Sequence, residues 1–135
     1  RFMISLEEGV KLVWHAFDDM KGGEIYVKKI SSMKVTDIAL AVDENTKQEE
    51  VGIRPGEKLH EQMIGIEDAL YTYEYPENFK ILPSINDWAK DEARIGDGIR
   101  VPEDFTYTSN NNKEWMEISE LKEWIKKNKS KIGNI

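Results

Sequence analysis

Helix-like and strand-like patterns alternate over residues 5–64, and this alternation constrains the fold more than any other feature of the sequence. The segment 5–20 (SLEEGVKLVWHAFDDM) places Ser5 and Glu8 at the spacing of a capping box. Its apolar residues recur at helical intervals: Leu6, Val10, Val13, Trp14 and Phe17. The alternation therefore starts with an amphipathic helix.

After a double glycine that ends this helix, residues 24–30 (EIYVKKI) are typical of a strand. A second helix is predicted at 36–42 (TDIALAV), starting at Thr36, followed by a short strand at 49–54 (EEVGIR) and a helix at 57–64. Helices that alternate with strands in this way indicate an α/β unit or part of one.

The rest of the chain has a weaker pattern. Residues 65–115 are polar and turn-rich, with one strand expected within 71–83 (YTYEYPENFKILP), and 119–131 (SELKEWIKKNKSK) predict a last helix. No repeat and no low-complexity linker interrupts the sequence, so we expect residues 1–135 to form a single unit of mixed α and β structure without an internal boundary.

Composition excludes several classes of partner and site. The 135 residues carry a net charge of −7, with 26 acidic and 19 basic residues, which argues against nucleic acid or an anionic membrane as the main partner. There is no cysteine, no apolar run of the ~20 residues that a spanning helix needs, and no spaced set of metal ligands around His15 and His60. We expect a cytoplasmic protein without a metal, and a start at Arg1 within a patterned segment suggests the end of a longer chain.

One short stretch, IRPGEK at 53–58, suggests an anion site. Pro55 biases Arg54 toward an extended conformation and Gly56 permits a sharp turn, so the guanidinium projects from a strand end. The amides of a helix starting at Glu57 would point to the same corner, and Glu57 itself would suit the hydroxyl groups of a ribose. Alternatively, Arg54 and Glu57 simply pair with each other, and composition alone favours this simpler interpretation.

Four blocks add a resemblance to a known family: RFMISLEEGV, GGEIYVKKISSMKVTDIA, GIRPGEKLHEQMI and DFTYTSNNNKEWM. In this order they resemble the C-terminal part of the UDP-N-acetylglucosamine 4,6-dehydratases of the extended short-chain dehydrogenase/reductase superfamily, including the inverting enzymes that begin pseudaminic acid synthesis. The resemblance runs from Arg1 to about Leu121. Ser31 stands where relatives commonly have proline, which could loosen that loop.

The resemblance implies a two-part enzyme in which an N-terminal Rossmann domain, absent from this chain, binds NADP and the C-terminal region binds the UDP-sugar. It implies that Arg1 and Arg54 contact the diphosphate and that Glu57 contacts the nucleoside. The reaction would oxidise C4, remove the C5 proton, expel the C6 hydroxyl and return the hydride to C6. Because the family's lysine, tyrosine and aspartate lie upstream of Arg1, no catalytic residue is expected here. The complete enzyme is expected to be a homo-oligomer.

The sequence is also compatible with two other functions. A related nucleotide-sugar epimerase or reductase would use the same diphosphate contacts, so these contacts do not choose between the reactions. A protein-interaction module without a ligand would instead use the apolar faces of its helices to meet a partner protein.

Overall fold

The computed structural model describes residues 1–132. The α-helices are α1 (Leu6–Asp19), α2 (Val35–Val42), α3 (Glu92–Ile95) and α4 (Ile118–Ile132). The strands are β1 (Ile25–Lys28), β2 (Gln62–Ile64), β3 (Thr72–Glu74), β4 (Asn78–Ile81), β5 (Ile99–Arg100) and β6 (Tyr107–Thr108). Two 3₁₀ helices lie at Ile66–Tyr71 and Trp88–Lys90. The fold is a mixed α/β fold with antiparallel sheets, which confirms the predicted class.

The larger sheet has four strands in the order β1-β4-β3-β5. β3 and β4 form a hairpin, and β1 pairs with the outer side of β4 so that Val27 faces Phe79 across the two strands. The smaller sheet joins β2 to β6. The core lies against both sheets and consists of Val27, Ile64, Ala69, Phe79, Ile81, Val101 and Tyr107.

Helix α1 forms as its sequence predicts. Ser5 is the N-cap, and its hydroxyl accepts a hydrogen bond from the Glu8 amide at 3.2 Å. The Glu8 carboxylate accepts in return from the Ser5 amide at 3.0 Å, which completes the capping box. The helix ends at Asp19, before the double glycine. The strand predicted at 24–30 is also confirmed, as β1.

The other predicted helices differ in outcome. α2 begins at Val35, one residue before the predicted Thr36, and its N-cap Lys34 makes no side-chain capping bond. The last predicted helix is confirmed as α4, which packs against α2 and buries Leu121 completely. α4 thus buries an apolar residue in the usual way for an amphipathic helix, whereas no residue of α2 is fully buried.

Two predicted elements between α2 and the sheets are wrong. Residues 49–54 form no strand, and 57–64 form no helix but an irregular segment that ends in β2. Ile64 is fully buried and pairs with Tyr107, a partner 43 positions further along the chain. Local periodicity does not reveal such a partner, and the tertiary pairing decides the conformation.

Residues 65–115 are also more regular than the sequence suggests. The single strand expected within 71–83 is a hairpin of two strands, β3 and β4. The turn between the two strands lies at residues 75–77 and contains Pro76, a break within the run that the prediction of a single strand did not use. None of the helices within residues 1–132 is both long and apolar enough to cross a membrane.

Candidate functional site

A groove of about 840 Å³ brings together residues that are distant in the sequence. Two of the three predicted site residues, Arg1 and Glu57, line it. The loop between α2 and β2, residues 43–61, forms much of its wall and is called the site loop below. The remaining lining residues that carry charge or an aromatic ring are Lys34, Glu49, Glu50, Lys58, His60 and Trp115.

Arg1 is held at the groove by two sets of contacts. Its guanidinium donates to the Glu61 carboxylate at 2.7 Å, and its backbone carbonyl accepts from the Met33 amide at 2.9 Å. Glu61 is fixed in turn, because its amide donates to the Ser109 hydroxyl at 2.9 Å and its carbonyl accepts from the Ser109 amide at 2.8 Å. A guanidinium has five N–H donors, so a partner carboxylate orients Arg1 and leaves donors for a ligand.

Arg54 and Glu57 form the two ends of a tight turn. The Glu57 amide donates to the Arg54 carbonyl at 3.0 Å, and the Arg54 amide donates to the Glu57 carboxylate at 3.1 Å. Gly56 has a φ of +81°, which glycine adopts at low cost. The turn confirms the sharp corner, but the expected helix N-terminus at Glu57 is wrong, so no set of helix amides points toward an anion here.

Arg54 and Glu57 do interact, but not as two paired side chains. The Glu57 carboxylate holds the Arg54 backbone, and no ion pair joins the two side chains within the part of the chain that the structure describes. Arg54 is exposed and is not among the residues that line the groove, although Ile53 before it and Glu57 after it in the sequence are. The structure thus brings Arg1 and Glu57 to the groove and leaves Arg54 on the adjoining turn.

The groove carries charges of both signs. Arg1, Lys34 and Lys58 line it together with three carboxylates, those of Glu49, Glu50 and Glu57, and the Arg1 guanidinium is also paired with Glu61 at 2.7 Å. With Glu61 included, the carboxylates outnumber the cations, so an anion here would depend on specific donors rather than on a net positive charge. The sequence alone did not single out Lys34 and Lys58, because a lone lysine carries no motif.

Trp115 is an aromatic side chain of the groove that no sequence motif connects with the site. It lies in the resembling block DFTYTSNNNKEWM, pairs through its backbone with Ser32, and lines the groove with 41% of its surface exposed. Its indole N–H donates to the Asn112 carbonyl at 2.9 Å, which fixes the ring. Trp115 reaches the groove through its pairing with Ser32, so no local pattern in the sequence could place it there.

A second cleft, of about 480 Å³, lies between α1 and the β3–β4 hairpin. Lys80 is buried there, and its ammonium group donates to Asp19 at 2.8 Å and lies 4.8 Å from the centre of the Tyr75 ring. Burial opposes the charge of Asp19, but hydrogen bonds from Lys80 and Tyr26 outweigh it and lower the pKa of this carboxyl group. These polar groups satisfy one another and fix α1 on the sheet. No cluster of His, Asp or Glu within residues 1–132 has the geometry of a metal site.

Comparison with known proteins gives the family. Residues 1–83 match the family model described as polysaccharide biosynthesis protein. The chain belongs to this family. It is 46% identical over 130 residues to the UDP-N-acetylglucosamine 4,6-dehydratase (inverting) of Campylobacter jejuni subsp. jejuni, which confirms the resemblance stated from the four blocks. It is also 30% identical over 131 residues to a UDP-glucose 4-epimerase of Rickettsia rickettsii.

The chain matches only one part of these family relatives. The match covers 93% of this chain and 39% of the Campylobacter protein. Among solved structures, Pen from Bacillus thuringiensis superposes with a TM-score of 0.75 and 28% identity, over 96% of this chain and 38% of Pen. About three fifths of the length of each relative therefore lies outside the region matched here.

Proposed function

We propose that this chain is the UDP-sugar-binding part of a UDP-N-acetylglucosamine 4,6-dehydratase. The observation that carries the proposal is the groove that unites Arg1 and Glu57, with Arg54 in the adjoining turn, in a chain 46% identical to such an enzyme. The complete protein is then a lyase of the cytoplasm and a homo-oligomer. Its product would serve the synthesis of a surface polysaccharide or a flagellin glycan, including pseudaminic acid.

The three site residues have chemistry that suits different parts of one ligand. Arg1 and Arg54 offer guanidinium groups, whose planar array of donors matches phosphate oxygens. Glu57 accepts hydrogen bonds only, so it would repel a phosphate and bind the ribose hydroxyls. Because Arg54 and Glu57 belong to one turn, a UDP that binds both would bridge from its diphosphate to its nucleoside across the same corner.

The residues of this chain do not fit NADP, the cofactor that the proposed reaction needs. A dinucleotide-binding glycine motif precedes a helix in a parallel βαβ unit. Here both sheets are antiparallel, and the glycines at 96 and 98 follow the end of α3 instead of preceding a helix. We therefore assign NADP and all steps of hydride and proton transfer to the part of the polypeptide outside these residues, and assign no catalytic residue to the chain.

A 4-epimerase is the second candidate, favoured by the 30% identity to the Rickettsia enzyme. The test is to incubate the complete protein with UDP-N-acetylglucosamine and NADP and to identify the product by nuclear magnetic resonance. A UDP-4-keto-6-deoxy sugar supports the dehydratase, and its C5 configuration shows whether the reaction inverts. A sugar that is changed only at C4 would establish the epimerase, and the absence of UDP binding would favour an interaction module instead.

The 135-residue chain alone provides the control for this assay. We expect it to form no product and to retain no NADP, because the hydride-transfer and proton-transfer groups would be missing. A 4-keto-6-deoxy product from the pure chain would show that the catalytic groups lie within it.

A further inference from the structure

The Arg1 side chain is held at the groove by a residue that lies outside the groove lining. Its Nη1 atom donates to the Glu61 carboxylate at 2.7 Å, and the two residues are 60 positions apart in the chain. Of the described residues, Glu61 is not among those that line the groove, although His60 before it and its hydrogen-bond partner Ser109 are. The carboxylate therefore holds the guanidinium without forming part of the groove wall.

Glu61 is itself anchored through its backbone. Its amide donates to the Ser109 hydroxyl at 2.9 Å, and its carbonyl accepts from the Ser109 amide at 2.8 Å. Ser109 is only 1% exposed, and the neighbouring strands β2 and β6 pair with each other. The smaller sheet thus sets the position of the carboxylate, and a change of the Glu61 side chain leaves both backbone bonds in place.

The contact with Glu61 leaves one edge of the Arg1 guanidinium free of protein partners. Glu61 accepts from Nη1, whereas Nε and Nη2 of Arg1 make no hydrogen bond to the protein within residues 1–132. Two parallel N–H groups on one edge of a guanidinium are the donors that bind a phosphate in a bidentate way. Arg1 is therefore oriented by one nitrogen and can bind an anion with the other two.

We propose that Glu61 is a positioning residue for the diphosphate, because it holds Arg1 in the orientation in which the guanidinium binds phosphate. An unrestrained arginine side chain has many rotamers, and fixing one of them on binding lowers the affinity. Glu61 fixes the orientation before the ligand binds. This inference rests on the proposed UDP site, and it assigns a role to a residue that would not itself contact UDP.

The sign of the effect distinguishes positioning from simple electrostatics. A carboxylate near an anion site repels the anion, so on charge alone the loss of Glu61 would strengthen UDP binding. The Glu61 side chain is 50% exposed, so water and salt screen this repulsion. We expect the loss of orientation to outweigh the relief of repulsion, so that removing an acidic side chain weakens the binding of an anion.

The experiment is calorimetric titration of the complete protein and its variants with UDP and with pyrophosphate. Glu61→Ala should weaken both ligands roughly threefold to tenfold. Glu61→Gln should lie between this variant and the wild type, because an amide oxygen still accepts from Arg1. Glu103→Ala removes an exposed carboxylate outside the groove lining, controls for net charge, and should change the affinities by less than about twofold. Tighter or unchanged binding by Glu61→Ala would overturn the proposal.

A double-mutant cycle shows whether Glu61 acts through Arg1. In an Arg1→Ala background, Glu61→Ala should change the UDP affinity by less than about twofold, because the side chain that it positions is already absent. A loss as large as in the wild-type background would overturn the proposal. The melting temperature of Glu61→Ala should stay within about 2 °C of the wild type, since an exposed ion pair adds little stability. Weaker binding is then not a result of unfolding.

Crystal structures of the complete wild type and of Glu61→Ala, both without ligand, test the positioning independently of UDP. We expect the Arg1 guanidinium to be displaced or poorly ordered in the variant, while the backbone bonds between Glu61 and Ser109 in the wild type persist at these positions. An Arg1 side chain in the same place in both structures would overturn the proposal. If the wild type binds neither UDP nor pyrophosphate, the proposed function fails, and a displaced Arg1 would still support the role of Glu61.

Discussion

The four-stranded sheet and the site loop are held in place by different kinds of contact. In the sheet, β4 is buried along all four residues and is paired on both sides, by β1 and β3. In the site loop, Val51 and Leu59 are 82% and 74% exposed, and the Arg54–Glu57 turn is closed by its own hydrogen bonds. Arg54 and Glu57, two of the three proposed ligand contacts, thus lie on a loop closed by local hydrogen bonds, whereas Arg1 is held by long-range contacts to Met33 and Glu61.

This difference indicates that the stability of the fold and the binding of a ligand should depend on different regions of the chain. Long-range contacts fix the sheet whether or not a ligand is present, whereas a loop with exposed apolar residues and local hydrogen bonds gains support when a ligand binds. Changes in the sheet should therefore lower the free energy of unfolding, and changes in the site loop should lower the affinity for UDP. The predictions below test this separation in the complete protein.

The largest effect is expected in the core. Phe79 is 5% exposed and packs against the rings of Phe105 and Tyr107, with ring centres 5.2 Å and 5.0 Å away. Phe79→Ala should cost about 3–5 kcal/mol of stability, measured by urea unfolding or by amide exchange in β4. Val51→Ala, in the exposed site loop, is the control and should cost less than about 0.5 kcal/mol. Similar losses of stability in the two variants would contradict the proposed difference between the sheet and the site loop.

The second effect concerns ligand contacts. Arg54→Ala should weaken UDP binding by about 1.5–3 kcal/mol, which is tenfold to roughly a hundredfold, and the loss should shrink as salt rises. Glu57→Gln should weaken UDP less and leave pyrophosphate binding unchanged, because its proposed partner is a hydroxyl group. Calorimetric titration with UDP and with pyrophosphate measures both.

Lys47→Ala, which removes an exposed cation from the same loop outside the groove lining, controls for net charge and should leave affinity nearly unchanged. If Arg54 and Glu57 serve only the turn, the outcome differs: both variants lower stability, and the dissociation constant for UDP stays the same. An equal effect of Lys47→Ala would mean that general charge, rather than a specific contact, attracts UDP.

Two glycines with similar φ angles, one before the sheet and one in the site loop, allow a further comparison of the two regions. Gly23 and Gly56 have φ angles of +84° and +81°, so alanine introduces similar backbone strain of roughly 1–2 kcal/mol at either position. A Cβ at Gly23 would also lie 2.9 Å from the Pro83 side chain, whereas a Cβ at Gly56 would meet open space. We expect Gly23→Ala to lower the melting temperature and Gly56→Ala to lower UDP affinity. The reverse assignment would contradict the account.

The smallest effect is the pH dependence of the α1 capping box. Hydrogen bonds from the Ser5 hydroxyl and amide lower the pKa of Glu8 below its ordinary value. A lowered pKa in the folded state contributes stability above the ordinary value, and this contribution is lost as pH falls through the folded pKa. Ser5→Ala should therefore cost about 1 kcal/mol at pH 7 and less at acidic pH, as thermal unfolding across pH will show. A cost that is constant with pH would argue against the ionised Glu8.

The sequence predicted the parts of the fold that depend on local signals. The capping box of Ser5 and Glu8, the double glycine and the strand after it, and the last helix are all encoded within a few neighbouring residues. β2 was mistaken for a helix because Ile64 owes its conformation to Tyr107, far along the chain. The β3–β4 hairpin differs from the predicted single strand because the chain reverses at residues 75–77, around Pro76, within one run of strand-forming residues.

The candidate site was predicted in part for the same reason. Arg54 and Glu57 are neighbours, and Pro55 and Gly56 between them predict the turn that the structure contains. The resemblance implied that Arg1 binds the same ligand as this turn, and in the structure Arg1 and Glu57 both line one groove. Trp115 and Lys34 reach the same groove through tertiary contacts alone, so no local pattern identified them.

Hydrogen–deuterium exchange of the complete protein with and without UDP tests most directly whether this region binds the nucleotide. The account predicts that saturating UDP slows exchange of the amides within residues 51–58 and leaves the already protected amides of β4, residues 78–81, unchanged. Calorimetry on the same sample establishes that the site is saturated. If UDP binds but exchange within 51–58 is unchanged, the nucleotide binds elsewhere and the proposed role of Arg54 and Glu57 is wrong.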